Sequence, residues 1–141
     1  MAVRTKEREE FLSDIIIGAV EGGTGYWAAA FGYRHSDGPA RVTLVEEEHG
    51  PLFNDACLAF AETHGRKPKL DETLDWEGVH RLDIDKVATA LGKISRGEVK
   101  MNSTLLGTIL AANAKNDGGE IDAEGADVIA QVACFGSIVY G

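Results

Sequence analysis

Residues 26–47 read YWAAAFGYRHSDGPARVTLVEE, in which two runs rich in aromatic and β-branched residues flank the turn signal SDGP at 36–39. An Asp-Gly pair between two such runs is typical of a β-hairpin. In the second run Val42 and Leu44 alternate with the polar Arg41 and Thr43, the period of two that indicates a half-buried strand. We expect that strand to leave for solvent at the acidic run 46–48.

Helical patterns precede and follow this hairpin. Apolar residues at three- and four-residue spacing predict a first helix over about 5–21, which Gly22 and Gly23 end by forming a left-handed cap. Residues 51–64 are interpreted as a short helix, with a buried strand as the alternative. The polar stretch 65–75 is interpreted as a surface loop.

Three polar residues mark the starts of later helices. Asp83 is placed to cap a helix from Ile84 to about Ser95, after a third short strand. A further helix is expected after Asn102 or Ser103, and Asp122 is placed to cap the last one. Together these patterns predict a single α+β domain over 1–141: a small antiparallel sheet (hairpin near 26–47, possible third strand near 79–82) packed against about four helices.

Composition excludes several classes of protein. The 141 residues carry a net charge of −9, which argues against a nucleic-acid binder that works through a cationic surface. No apolar run approaches the ~20 residues that a membrane span needs, and the N-terminus shows no signal pattern. We therefore expect no membrane partner, no direct nucleic-acid binding and a cytoplasmic location.

Catalytic and metal-binding signatures are not found in the sequence. No nucleophile elbow is present, and a nucleophilic Cys57 or Cys134 needs a base that the sequence does not reveal. No histidine stands at zinc-ligand spacing from another ligand. We therefore predict no catalytic residue, no metal and no cofactor. The four histidines fall in separate segments, at His35, His49, His64 and His80.

Two segments are candidates for binding an anion. The run EGGTGYW at 21–27 resembles an anion nest, but a helix leads into it, so a negative helix end faces the site and a simple helix stop is the favoured interpretation. Lys100, Ser103 and Thr104 lie beside a predicted helix N-terminus, whose backbone amides can bind a phosphate. The alternative there is an ordinary helix cap.

Aromatic and polar pairs are candidates for binding a ring. Tyr26 and Trp27 are adjacent, so on a strand they face opposite sides, and an exposed one can stack on a nucleobase. Asp127 and Gln131 lie four residues apart on one helix face beside an apolar stripe. Such a pair lines a purine-sized pocket or, alternatively, is satisfied by its own hydrogen bond within the core.

The run EGGTGYW at 21–27 and the run ADVIAQVACFGSIVYG at 126–141 resemble a family of small accessory proteins from actinobacterial phages that has no assigned activity. The middle of the chain, about 50–80, matches the family poorly. The resemblance implies a phage protein that acts in the cytoplasm of the host bacterium. Accessory proteins of this size often counter host immunity.

These observations lead to the hypothesis of a non-enzymatic protein that sequesters a small nucleotide-derived immune signal, a cyclic nucleotide or an ADP-ribose derivative. We expect a homo-oligomer. The hypothesis requires the two ends of the chain to meet beside a cavity. Its predicted ligand-binding residues are the stacking rings Tyr26, Trp27 and Tyr140, the polar pair Asp127 and Gln131, and the phosphate-binding Lys100, Ser103 and Thr104.

Two other functions remain open at this point. The first is an acidic module, possibly a DNA mimic, that blocks a host defence protein through the acidic stretches 46–48 and 71–77. The second, and least favoured, is an enzyme that acts on nucleotides.

Overall fold

A computed structural model describes residues 4–141, and these form five α-helices and a three-stranded antiparallel sheet. The predicted α+β fold, with a small sheet packed against helices, is confirmed. In chain order the elements are α1 (Lys6–Gly18), β1 (Ala28–Arg34), β2 (Arg41–Glu46), α2 (Gly50–His64), β3 (Val79–Asp83), α3 (Ile84–Ser95), α4 (Ser103–Lys115) and α5 (Ala123–Phe135).

The last three helices begin at the predicted caps. The side chains of Asp83, Asn102 and Asp122 each accept a hydrogen bond from a backbone amide in the first turn of the following helix, at 3.0, 2.9 and 2.8 Å. Each bond satisfies an amide that has no partner within the helix. The segment 50–64 is helical, which confirms the preferred interpretation.

Strand β2 lies in the centre of the sheet, antiparallel to β1 and β3. Val42 and Leu44 face the main core, but Val45 on the opposite side is also buried, against Phe53 of α2 and Val79 of β3. The expectation of a half-buried strand is therefore wrong, because α2 covers the second face.

Helices α1, α3 and α5 pack against one another on the face of the sheet opposite α2. Their apolar side chains exclude water from the main core, and this burial is the chief source of the stability of the fold. Helix α5 is consequently held at the centre of the molecule. The largest fully buried apolar residues are Phe11, Leu12, Ile15, Ile16, Leu44, Leu82, Leu91, Ile94, Ile109 and Ile129.

The chain leaves α1 through one wide π-helical turn, Ala19–Gly23, and not through a left-handed cap. The prediction for Gly22 and Gly23 is wrong, since neither has a positive φ. Their role is close approach to α5. A Cβ added to Gly23 would lie 2.8 Å from the Ala123 carbonyl oxygen, a distance that real Cβ atoms do not adopt.

Within residues 4–141, none of the helices has both the length and the apolar character that crossing a bilayer requires.

Candidate functional site

The segment that follows α1 and the C-terminal segment meet at a groove of about 520 Å³. We name it the terminal groove. It lies between the π-helical turn that follows α1, the start of α4, the first turns of α5 and the C-terminal segment. Its lining residues are Gly22, Gly23, Tyr26, Met101, Asn102, Leu105, Ala123, Glu124, Asp127, Val128, Ile138, Tyr140 and Gly141.

Asp127 on α5 is hydrogen-bonded to the aromatic pair that follows α1. Its Oδ1 accepts a hydrogen bond of 2.7 Å from the indole nitrogen of Trp27, and its Oδ2 accepts one of 2.6 Å from the hydroxyl of Tyr26. The side-chain amide of Gln131 donates to the same Oδ2 at 3.1 Å. A buried carboxylate thus has three neutral donors, which offset the free energy of removing it from water.

Gln131 is fully buried and holds the C-terminal segment in place. Its Oε1 accepts the backbone amides of Val139 and Tyr140 at 2.8 and 2.7 Å, and its Nε2 donates to the carbonyl of Tyr140 at 3.0 Å. Chain termini are usually poorly ordered unless they are held by such bonds. These bonds bring Tyr140 into the site.

Trp27 and Tyr140 stack on each other, with ring centroids 5.3 Å apart and planes 9° from parallel. The Phe135 ring lies 5.4 Å from Trp27 and closes the same cluster. Trp27 is only 2% exposed and does not line the groove. Trp27 and Tyr140 do meet beside a cavity, but the predicted stacking of Trp27 on a ligand is not possible in this arrangement, because Tyr140 and Phe135 cover its ring.

Tyr26 is the exposed member of its pair and forms one wall of the groove. Partial burial, followed by the hydrogen bond to Asp127, raises the pKa of Tyr26 to about 12. Its hydroxyl therefore stays protonated and continues to donate to Asp127 at neutral pH.

The three predicted phosphate-binding residues lie at the start of α4, where all are exposed. Lys100 and Ser103 do not line the groove, and Thr104 lines a neighbouring hollow of about 320 Å³. Asn102 accepts hydrogen bonds from the amides of Thr104 and Leu105, so these two amides already have a partner. The helix-cap interpretation holds for these amides.

The groove is apolar and acidic. Met101, Leu105 and Ile138 supply apolar surface and Glu124 supplies an exposed carboxylate, whereas the carboxylate of Asp127 is already bonded within the protein. None of the described residues that line it is basic. Carboxylates attract hydrogen-bond donors such as amines and repel anions, so the lining favours a donor group over an anionic one.

A second polar cluster at the end of β2 was not predicted. Glu46, expected to lie in solvent, is only 8% exposed and accepts hydrogen bonds from the Tyr140 hydroxyl at 2.6 Å and from His80 Nε2 at 2.9 Å. Burial alone would raise the pKa of Glu46, but these two bonds lower it below its ordinary value. The sequence could have indicated this burial, because residue 46 falls on the same face of the strand as the core-facing Val42 and Leu44.

Neither cysteine is activated as a nucleophile. Both are free thiols. Burial raises the pKa of Cys134 to about 12 and also raises that of Cys57. Only a thiolate attacks efficiently, and the raised pKa values keep both thiols protonated at neutral pH.

No protein-family model matches the sequence, and searches of the curated proteins and of the solved structures find no match either.

Proposed function

We propose that the protein is a non-enzymatic binding protein that sequesters a small nucleotide-derived ligand in the terminal groove. The resemblance to phage accessory proteins suggests the setting: the ligand is a host immune signal, a cyclic nucleotide or an ADP-ribose derivative, and its capture counters host defence. The observation that carries the proposal is the groove itself, which lies between the segment after α1 and the C-terminal segment and which Tyr26 and Tyr140 line.

The size and chemistry of the groove support a base as the bound group. A volume of about 520 Å³ lies within the range of ligand pockets, roughly 300–1,000 Å³. Met101, Leu105 and Ile138 offer apolar contact to the faces of a planar ring. Glu124 is exposed at the groove and is placed to accept a hydrogen bond from an exocyclic amine.

The acidic lining also sets the orientation of the ligand. Phosphates are repelled by Glu124 and by the overall charge of −9. We therefore place them outside the groove, towards the exposed Lys100, which immediately precedes the lining residues Met101 and Asn102. In this orientation Trp27 and Gln131 support the site from behind and do not touch the ligand.

Isothermal titration calorimetry with cyclic dinucleotides, ADP-ribose and the parent nucleosides tests the proposal. We expect heat with at least one of these probes. Glu124→Gln should weaken its binding by about tenfold, because a charged acceptor is lost. Glu62→Gln, an exposed residue on α2, is the matched control and should bind as the wild type. Absence of heat with every probe at high protein concentration would contradict the proposal.

The net charge of −9 favours a second candidate, an acidic module or DNA mimic that blocks a basic site on a host protein. Its two acidic stretches are partly neutralised, however. Glu46 is buried, Asp71 pairs with Arg81 at 3.0 Å, and Glu72 pairs with Arg66 at 2.8 Å. Binding to such a target that persists unweakened in molar salt would contradict this candidate.

The homo-oligomer stays a prediction. Light scattering coupled to gel filtration measures the mass directly, and a mass equal to one chain would contradict it.

A further inference from the structure

Metal-ligating side chains converge on the side of the Tyr140 hydroxyl, at the end of β2. Glu46, Glu48 and His49 each offer one ligand atom, and these atoms lie within 4.8 Å of one another. Glu46 is buried, His49 is half-buried and Glu48 is exposed. The cluster is thus anchored on one side and open to solvent on the other.

The two carboxylates of this cluster share the hydroxyl of Tyr140. The Tyr140 hydroxyl lies 2.6 Å from Glu46 Oε1 and 3.1 Å from Glu48 Oε1. A phenol carries one proton, so it cannot donate fully to both carboxylates. Two carboxylates therefore share one donor, and a bound cation would relieve their mutual repulsion.

The imidazole of His49 is positioned by the fold towards these carboxylates. Its Nε2 lies 3.7 Å from Glu48 Oε1, which is longer than a hydrogen bond. The ring rests on Gly78, where an added Cβ would lie 2.5 Å from the Cγ of His49. Gly78 also has a φ of +80°, so the chain accepts glycine there far more readily than a larger residue.

His80 holds the buried carboxylate in place. Its Nε2 lies 2.9 Å from Glu46 Oε2, while the Tyr140 hydroxyl donates to Glu46 Oε1, so this carboxylate is held on both oxygens. Partners of this kind orient the ligands of many metal sites. A donor set of two carboxylates and one imidazole suits a zinc ion, whereas calcium and magnesium prefer oxygen alone.

We propose that Glu46, Glu48 and His49 bind a zinc ion, with the fourth position open to water. Tetrahedral zinc needs ligand atoms roughly 3.3 Å apart, so the cluster must contract from its present spacing. Contraction requires Glu48, whose side chain is 67% exposed, to rotate inwards and the half-buried His49 to approach Glu46. This proposal does not depend on a ligand in the terminal groove.

Titration of the metal-free chain with zinc chloride tests this site. We expect one zinc per chain, and we expect His49→Ala and Glu48→Gln each to weaken binding by roughly tenfold or more. The His49 side chain makes no capping hydrogen bond to α2, so its removal leaves the helix start intact. The matched controls are His64→Ala and Glu47→Gln, both exposed, which should bind zinc as the wild type does.

Substitution with cobalt(II) gives a second readout. Cobalt bound to nitrogen and oxygen in a tetrahedral site absorbs visible light, and this band should be present in the wild type and lost in His49→Ala. Absence of zinc binding to the folded wild type would overturn the proposal. So would equal zinc affinity in His49→Ala, Glu48→Gln and the two controls.

Discussion

At the scale of single residues, Asp127 is the group on which the site depends. Four-residue spacing predicted that Asp127 and Gln131 share a helix face, and they are hydrogen-bonded at 3.1 Å. The spacing could not predict the other hydrogen-bond partners of Asp127, because Trp27 lies 100 residues away in the sequence. Contacts of that range depend on the packing of α5 against the rest of the chain, which local patterns do not encode.

Replacing Asp127 by asparagine tests this dependence. An amide offers one acceptor oxygen, so either the Trp27 indole or the Tyr26 hydroxyl loses its partner. We expect the free energy of unfolding to fall by about 1–3 kcal/mol, the usual effect of an unpaired buried donor. Urea denaturation measures it, with Glu124→Gln, an exposed residue on the same helix, as the control. Equal stability of the two variants would contradict this role of Asp127.

The three tyrosines make the folded protein less stable at high pH. They donate to carboxylates in the pairs Tyr26–Asp127, Tyr33–Glu21 and Tyr140–Glu46. Partial burial and then the carboxylate acceptor raise the pKa of Tyr26 and Tyr33 to about 12 each; the bond to Glu46, followed by burial, also raises the pKa of Tyr140.

Because the pKa of each tyrosine in the folded state lies above its unfolded value of 10, the stabilisation by these hydrogen bonds is fully present below pH 10. It is lost as the pH rises from 10 towards 12. Phenolate absorbance followed during an alkaline titration measures the ionisation directly. We expect no tyrosine of the folded protein to ionise near pH 10, and one that does would contradict the hydrogen bonds described.

At the scale of elements, local chemistry predicted the helix starts and failed at the turn after α1. Caps such as Asp83 and Asp122 act within one turn, so the sequence alone reveals them. Gly23 has a different function, because its missing side chain allows α5 to approach. The partner that requires this glycine is distant in the sequence, and the same is true of α2, which covers the second face of β2.

Replacing Gly23 by alanine tests the close approach. The new Cβ would meet the Ala123 carbonyl at 2.8 Å and the Asp127 Cβ at 3.1 Å, so backbone has to move. We expect a loss of about 1–3 kcal/mol in the free energy of unfolding, typical of overpacking. Gly25→Ala is the matched control, since an added Cβ there meets nothing within 4 Å. Equal stability of both variants would show that α5 does not need the glycine.

At the scale of the whole molecule, the fold brings the segment after α1 and the last segment of the chain into one site. The sequence suggested this meeting through two runs, 21–27 and 126–141, whose polar and aromatic residues form one network in the structure. The shape and charge of the groove were not predictable, because they arise from α4 as well. Met101 and Asn102 immediately precede α4, and Leu105 lies in its first turn; all three line the groove.

The most direct test of the account is a ligand titration followed by the backbone amide signals of the ¹⁵N-labelled protein. With ADP-ribose or a cyclic dinucleotide, we predict shifts concentrated at Gly22, Gly23, Asn102 and Gly141, around the terminal groove. Signals of α2 on the far side of the sheet should stay in place. Shifts confined to α2, or no shifts with any of these nucleotides, would contradict the account.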